Sequence, residues 1–269
     1  MAKTKVEKPK VGLLSFKQKF SYCAGGIGRD MARYLATQGH ELILVARRKE
    51  RLDKLKDELS NVKVTVVSLD LSKENNVYKL YDRFKDDNID FLINNAGFGL
   101  FGLFHETDLD TELKMIDLNI KCYHILTKLF LQDFVKRNYG YILNVCSSAG
   151  FMAGPRLNTY YATKNYITKL TMAINEELRQ MKSNVVISAL CPGPVSTEFN
   201  EVAHGKFTVK EANSQMVAKY AIDKTMERKM IIIPTLMMKI GIFALRFAPY
   251  RLQLMIAYKT KNYFWSYRI

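Results

Sequence analysis

Short apolar runs alternate along this chain with stretches whose apolar residues recur every three or four positions. The runs Glu41 to Val45, Val62 to Leu69, Phe91 to Asn94, Tyr141 to Val145, Val185 to Leu190 and Met230 to Ile233 are too short for helices and predict strands. Between them, Ile27, Met31, Tyr34 and Leu35 form a helical stripe that ends at Gly39, and Leu52, Leu55 and Leu59 form another. Further helices are expected over about Leu113 to Lys136, Thr159 to Met181 and Thr208 to Arg228. Strands alternating with helices specify an α/β fold with a doubly wound parallel sheet, whose ligand crevice lies beyond the carboxyl ends of the strands. No repeat or long linker interrupts it, and 269 residues with 48% hydrophobic content suffice for one domain with a full core.

The pattern changes after residue 235. Leu236 to Phe247 is apolar except for Lys239, Gly241 and Arg246, Pro249 then breaks the helix, and Tyr250 to Tyr258 repeats the apolar and basic character. Residues 1–235 are therefore expected to form the main domain and 236–269 an extension that serves as a lid, a dimer contact or a membrane-surface segment. A spanning helix needs about twenty largely apolar residues, so the charges favour an interfacial helix over a spanning one.

Charge sharpens this division. The net charge is +15, and residues 228–269 hold eight Lys or Arg and no Asp or Glu. The first ten residues add four lysines against Glu7 and hold no apolar run, so neither a signal peptide nor an N-terminal anchor is expected. The protein is expected in the cytoplasm or peripherally at the inner membrane face. No helix-turn-helix, zinc-finger or RNP pattern accompanies the basic ends, and no nucleic-acid partner is expected. Cysteines 23, 122, 146 and 191 and histidines 40, 105, 124 and 204 show no ligand spacing, which predicts reduced thiols and no metal.

The candidate chemistry centres on Tyr160 and Lys164, four residues apart and so on one helix face, with Ser147 thirteen positions upstream. A tyrosine titrates near ~10, and a fixed cation beside it favours its phenolate and brings it toward useful range. This arrangement can move a proton. Asn94-Asn95-Ala96-Gly97 after a strand, Asn119, Ser147, Tyr160-x-x-x-Lys164 and Pro192-Gly193-Pro194-Val195-x-Thr197 occur in the order and approximate spacing of short-chain dehydrogenases/reductases. The chain thus resembles that family over roughly residues 17 to 235. The resemblance implies a Rossmann-like fold and a carbonyl/alcohol oxidoreductase. It assigns proton donation to Tyr160, a hydrogen bond on the substrate oxygen to Ser147, and a dual role to Lys164, which lowers the Tyr160 pKa and binds the nicotinamide ribose. Asn119 would position a water in the proton relay. Asn95, Ala96, Gly97, Pro192, Gly193, Val195 and Thr197 join Tyr160 and Lys164 in the implied cofactor set, and a homodimer or homotetramer is implied as well.

The cofactor expected is NADP(H). Enzymes that use NAD usually place a carboxylate at the end of the second strand, whereas this chain reads Leu44-Val45-Ala46-Arg47-Arg48, and arginine suits bidentate phosphate binding. Asp70-Leu71 resembles the adenine contact, although Asp70 could equally cap the following turn. The phosphate cradle departs from the family's T-G-x-x-x-G-I-G. Anchored on Gly26-Ile27-Gly28, the pattern puts Ser21 at the threonine and Tyr22 at the first glycine, with Cys23, Gly25 and Gly26 completing the loop. The preceding segment is too polar for a central strand. Either the strand is Val11 to Phe16 with Lys17 to Cys23 as a loop, or the site has decayed to a binding protein, or the stretch is altered in an ordinary reductase. Retained catalysis on a hydrophobic carbonyl or alcohol is the expectation. The alternative is an impaired relative that acts as a nucleotide-dependent or membrane-surface binding protein. Phe98, Phe101, Phe104 and Phe151 are candidate crevice aromatics.

Overall fold

Residues buried on both sides explain why the strands read as continuous apolar runs rather than alternating ones. The computed structural model describes residues 19–23, 26–196 and 211–262, with side chains over 26–196 and 211–259. In order along the chain come β1 (Lys19–Cys23), α1 (Ile27–Thr37), β2 (Glu41–Ala46), α2 (Lys49–Glu58), β3 (Val64–Ser68), α3 (Glu74–Phe84) and β4 (Ile89–Asn94). Then follow α4 (Leu109–Ile116), a π-turn (Asp117–Cys122), α5 (Tyr123–Lys136), β5 (Tyr141–Val145), a short 3-10 turn (Ser148–Phe151), α6 (Asn158–Gln180) and β6 (Val186–Leu190). The described residues end with α7 (Ser214–Met226), β7 (Ile231–Ile232), α8 (Leu236–Leu245) and α9 (Tyr250–Asn262).

Among the described residues the strands form one seven-stranded sheet in the order β3-β2-β1-β4-β5-β6-β7, and every pairing is parallel. Alternate residues serve opposite faces. Leu42 and Leu44 join Met31 and Leu35 of α1 and Val217 and Ala221 of α7, while Ile43 and Val45 join Leu80 of α3 and Phe130 of α5. The sheet is therefore covered on both sides, as the alternating pattern predicts.

The first strand differs from one alternative above. Lys19–Cys23, not a strand over 11–16, lies between β2 and β4, with Tyr22 in register with Leu44 and Cys23 with Val45. Residues 11–16 lie outside the described residues. Two flanking strands satisfy the backbone of this segment on both edges, which outweighs its polar composition. Its lysine occupies the amino-terminal position of the strand. Of the helix expected over Thr208 to Arg228, residues 208–210 lie outside the described residues, and the helix observed runs from Ser214, where the Asn213 side chain accepts from the Met216 N–H at 2.9 Å and caps it.

The extension folds as two short helices across the carboxyl-end side. Gln253 donates to the carbonyls of Leu245 at 2.9 Å and Ala248 at 2.8 Å, which fixes the corner between them. Met238 of α8 sits on the loop after β6, so closely that a Cβ at Gly193 would lie 2.8 Å from its Sδ. Among the described residues no helix is long and apolar enough to cross a membrane.

Candidate active site

The sheet order reverses at β1, whose neighbours β2 and β4 are followed by segments that leave in opposite directions, and such a switch point opens a crevice at the strands' carboxyl ends. Arg47 follows β2, Asp70 and Leu71 follow β3, Asn95 to Gly97 follow β4, Ser147 follows β5, and Pro192 and Gly193 follow β6. Candidate residues from five strand ends thus meet along one edge.

Tyr160 and Lys164 both come from α6 and are 9% and 4% exposed, so the helix turns them inward. Ser147 is held by its own turn, with its Oγ accepting from the Ala149 N–H at 3.1 Å, and its hydroxyl acts on the Tyr160 phenol, favouring the ionised form. The Lys164 Nζ donates to the Val145 carbonyl at 2.8 Å and lies 5.8 Å from the Tyr160 ring centroid and 5.4 Å from that of Tyr123. Burial works on the pair in opposite directions, because it penalises whichever form is charged. It pushes the Tyr160 phenol well above its usual range, against the pull of the Ser147 hydrogen bond. It pushes the Lys164 ammonium down, against the opposing influence of Cys146 and Cys191.

Asn119 lies in the π-turn, a wide turn that recurs at functional sites. The residue is wholly buried, and its amide donates to the Phe98 carbonyl at 2.9 Å and to Thr163 Oγ1 at 3.1 Å while Oδ1 accepts from the Phe98 N–H at 3.2 Å. Thr163 in turn donates to the Tyr160 carbonyl at 2.7 Å. Both amide hydrogens of Asn119 are thereby committed to protein acceptors, and its side chain braces the loop after β4 against α6. Gly97 completes the floor: a Cβ there would lie 2.9 Å from Asn119 Oδ1 and 3.5 Å from Lys164 Nζ.

At the other end of the crevice, Gly26 precedes α1 with φ 53° and ψ −131°, a conformation suited to glycine, and brings no side chain to cap the helix. The N–H groups of the first turn of α1 are thus left for an anion. Ile27 packs against the core and Gly28 is buried. Ser21 and Cys23 lie in β1, and Gly25 and Thr197 lie outside the described residues. Tyr22, aligned with Leu44, has ordinary extended backbone, so the first-glycine position makes no conformational demand that tyrosine fails to meet. Arg47 and Arg48 are exposed where the chain leaves β2. Asp70 is engaged in its turn, with Oδ1 accepting from the Ser72 hydroxyl at 2.8 Å and N–H at 3.1 Å. Burial opposes ionisation of its carboxyl, but those hydrogen bonds and the charge of Arg47 outweigh burial and hold it low. Leu71 lines a cleft with Val45, Leu92, Asn95 and Ala96. The Pro192 carbonyl accepts from the Ser148 N–H at 2.8 Å, which ties the loop after β6 to the Ser147 turn, and Val195 is buried where it bridges Ala212.

Not every expected aromatic gathers here. Phe98 and Phe101 pack with Met115, Leu157 and Tyr160, whereas Phe151 packs with Tyr123 and Ile167 on the other side of the turn, and Phe104 is 63% exposed on the loop before α4. Nothing in residue type or spacing marks Thr163, the Val145 carbonyl, or the buried Cys146 and Cys191 thiols that act on Lys164. These roles depend on which backbone and side-chain atoms the fold brings together.

Residues 23–206 match the short chain dehydrogenase family. The NADP-dependent 3-hydroxy acid dehydrogenase YdfG of Escherichia coli is 33% identical over 182 residues, which cover 66% of this chain and 72% of that protein. The human very-long-chain 3-oxoacyl-CoA reductase is 29% identical over 208 residues, covering 73% of this chain and 64% of that one. Among solved structures, a short-chain dehydrogenase from Sphingobium yanoikuyae in complex with NADPH superposes with a TM-score of 0.79 and 29% identity, over 88% of this chain and 95% of the other.

Proposed function

We propose that this chain, which belongs to the short-chain dehydrogenase family, interconverts a carbonyl and an alcohol with NADP(H), acting on a hydrophobic substrate. The observation that carries this reading is the buried Tyr160 phenol under the influence of Ser147, with the Lys164 ammonium buried on the same helix and held on the Val145 carbonyl at the end of β5. The residues present fit the cofactor. Gly26 offers an uncapped helix N-terminus, and at Gly97 even one added methyl group would press on Asn119. Arg47 and Arg48 would hold the 2′-phosphate, Asn95 to Gly97 and Leu71 the adenosine side, and Lys164 with the Pro192-Gly193 loop the nicotinamide side. The NADP-dependent and NADPH-bound relatives support that choice.

When bound, NADPH supplies the hydride. Ser147 holds the substrate oxygen by a hydrogen bond, and Tyr160 donates its proton to that oxygen. A unit charge at the 5.8 Å between Lys164 Nζ and the Tyr160 ring stabilises the phenolate left behind. Burial raises the phenol, so at rest it stays protonated and is poised as an acid. Asn119 and Thr163 hold Tyr160 and the Phe98 loop in place, and Phe98, Phe101 and Leu157 supply an apolar wall for the substrate.

Titration of the purified protein with NADPH and NADH tests the cofactor assignment. Tighter NADPH binding is expected, and Arg47→Asp should lower NADPH affinity at least tenfold, the scale of one lost charge-assisted contact (about 1.5–3 kcal/mol), with little change for NADH. Equal affinities in the wild type would refute the NADP(H) choice.

A further inference from the structure

We propose that the outer face of α8 and α9 docks the protein on an anionic lipid bilayer. Leu236, Met237, Ile240, Phe243 and Phe247 of α8 are each more than half exposed, and Met255 of α9 is about half exposed. Soluble proteins rarely leave so much contiguous apolar surface without a partner.

The inner side of the extension is already occupied. Met238 rests on Gly193, Ile242 and Ala257 are buried, and the Arg156 guanidinium lies 5.1 Å from the Tyr258 ring centroid. The outward residues are therefore not those that cover the crevice.

Charge identifies the occupant. Arg246, Arg251 and Lys259 are exposed among the apolar residues, whereas Lys239 turns onto the Tyr220 hydroxyl at 3.2 Å, and residues 228–269 contain no Asp or Glu. A second copy in a two-fold contact would bring the same cations against themselves, and residues 11–227, with 29 Lys or Arg against 25 Asp or Glu, offer no net acidic surplus to offset them. An anionic bilayer satisfies both features at once: apolar side chains enter the acyl boundary while the cations meet lipid phosphates. The helices are too short to cross it, and so they lie in its plane. The surface is independent of the reaction assigned above.

Co-sedimentation of the full-length protein with vesicles of phosphatidylglycerol and phosphatidylcholine, against phosphatidylcholine alone, tests this. The protein should pellet with the mixed vesicles and much less with the neutral ones, and 0.5 M salt should release most of it. Phe243→Asp with Phe247→Asp should lower partitioning at least tenfold, and Arg246→Gln with Arg251→Gln by on the order of fivefold per charge, with melting temperatures near wild type. The proposal is overturned if the wild type stays in the supernatant with anionic vesicles, or if its binding ignores both salt and the phenylalanine pair. It is equally overturned if that pair changes the solution mass while vesicle binding persists, which would make the face a contact between copies. The salt arm needs no variant and so stands whether or not a substitution perturbs folding.

Discussion

Tyr160 and Lys164 are placed where burial disfavours the charged form of each, and the pH dependence follows from that conflict. Because burial raises the phenol, its protonated form persists from neutral into alkaline pH. Carbonyl reduction, which needs the proton, should hold steady across neutral pH and fall only on the alkaline side. Alcohol oxidation needs the phenolate and should climb as pH rises. Rate profiles in both directions check this, and a reduction rate already lost below pH 7 would contradict it. Gly97 makes a second test. Ala there puts a methyl 2.9 Å from Asn119 Oδ1, and overpacking of this kind costs about 1–3 kcal/mol. Gly97→Ala should therefore reduce kcat/KM about tenfold or more while the fold survives a thermal melt. These side-chain identities were legible in the sequence, because Ser147, Tyr160 and Lys164 depend on type and spacing. The Val145 carbonyl under Lys164 and the Thr163 hydroxyl under Asn119 were not, since they become partners only when β5 and the π-turn meet α6.

Elements were read well where apolar periodicity was strong and poorly where something other than periodicity set the boundary. The helix expected over Leu113 to Lys136 exists, but Asp117–Cys122 widens within it, and one extra residue per turn leaves no mark on composition. That turn carries the brace formed by Asn119. Asn119→Leu abandons its bonds to Phe98 and Thr163 and should lower stability by about 1–3 kcal/mol in a urea titration, the usual cost of leaving buried polar partners unsatisfied. An unchanged midpoint would show that the brace contributes nothing. β1 was obscured for a different reason: its sequence is polar, and only its position between β2 and β4 makes it a strand. The start of α7 at Ser214 is set by the Asn213 cap, a local hydrogen bond that apolar periodicity does not reveal.

At the scale of the molecule, parallel topology brings residues that are far apart in sequence to one edge, and the alternation of strands and helices already implied it. The same topology places the extension on the loops after β5 and β6, so that the cationic, apolar surface and the crevice share one side of the protein. Neither the seating of Met238 on Gly193 nor the division of α8 and α9 into an inner and an outer face could be read before the fold was known. The chain belongs to the short-chain dehydrogenase family, and the crevice is proposed to interconvert a carbonyl and an alcohol. The decisive measurement is NADPH consumption with a panel of hydrophobic ketones, for wild type and Tyr160→Phe, alongside NADPH affinity for each. The wild type should turn over at least one ketone, and Tyr160→Phe should lose on the order of 10²–10⁴-fold in kcat with NADPH affinity unchanged, the usual range for removing a positioned general acid. Equal turnover in both proteins, or NADPH bound tightly by a wild type that reduces nothing, would contradict the account.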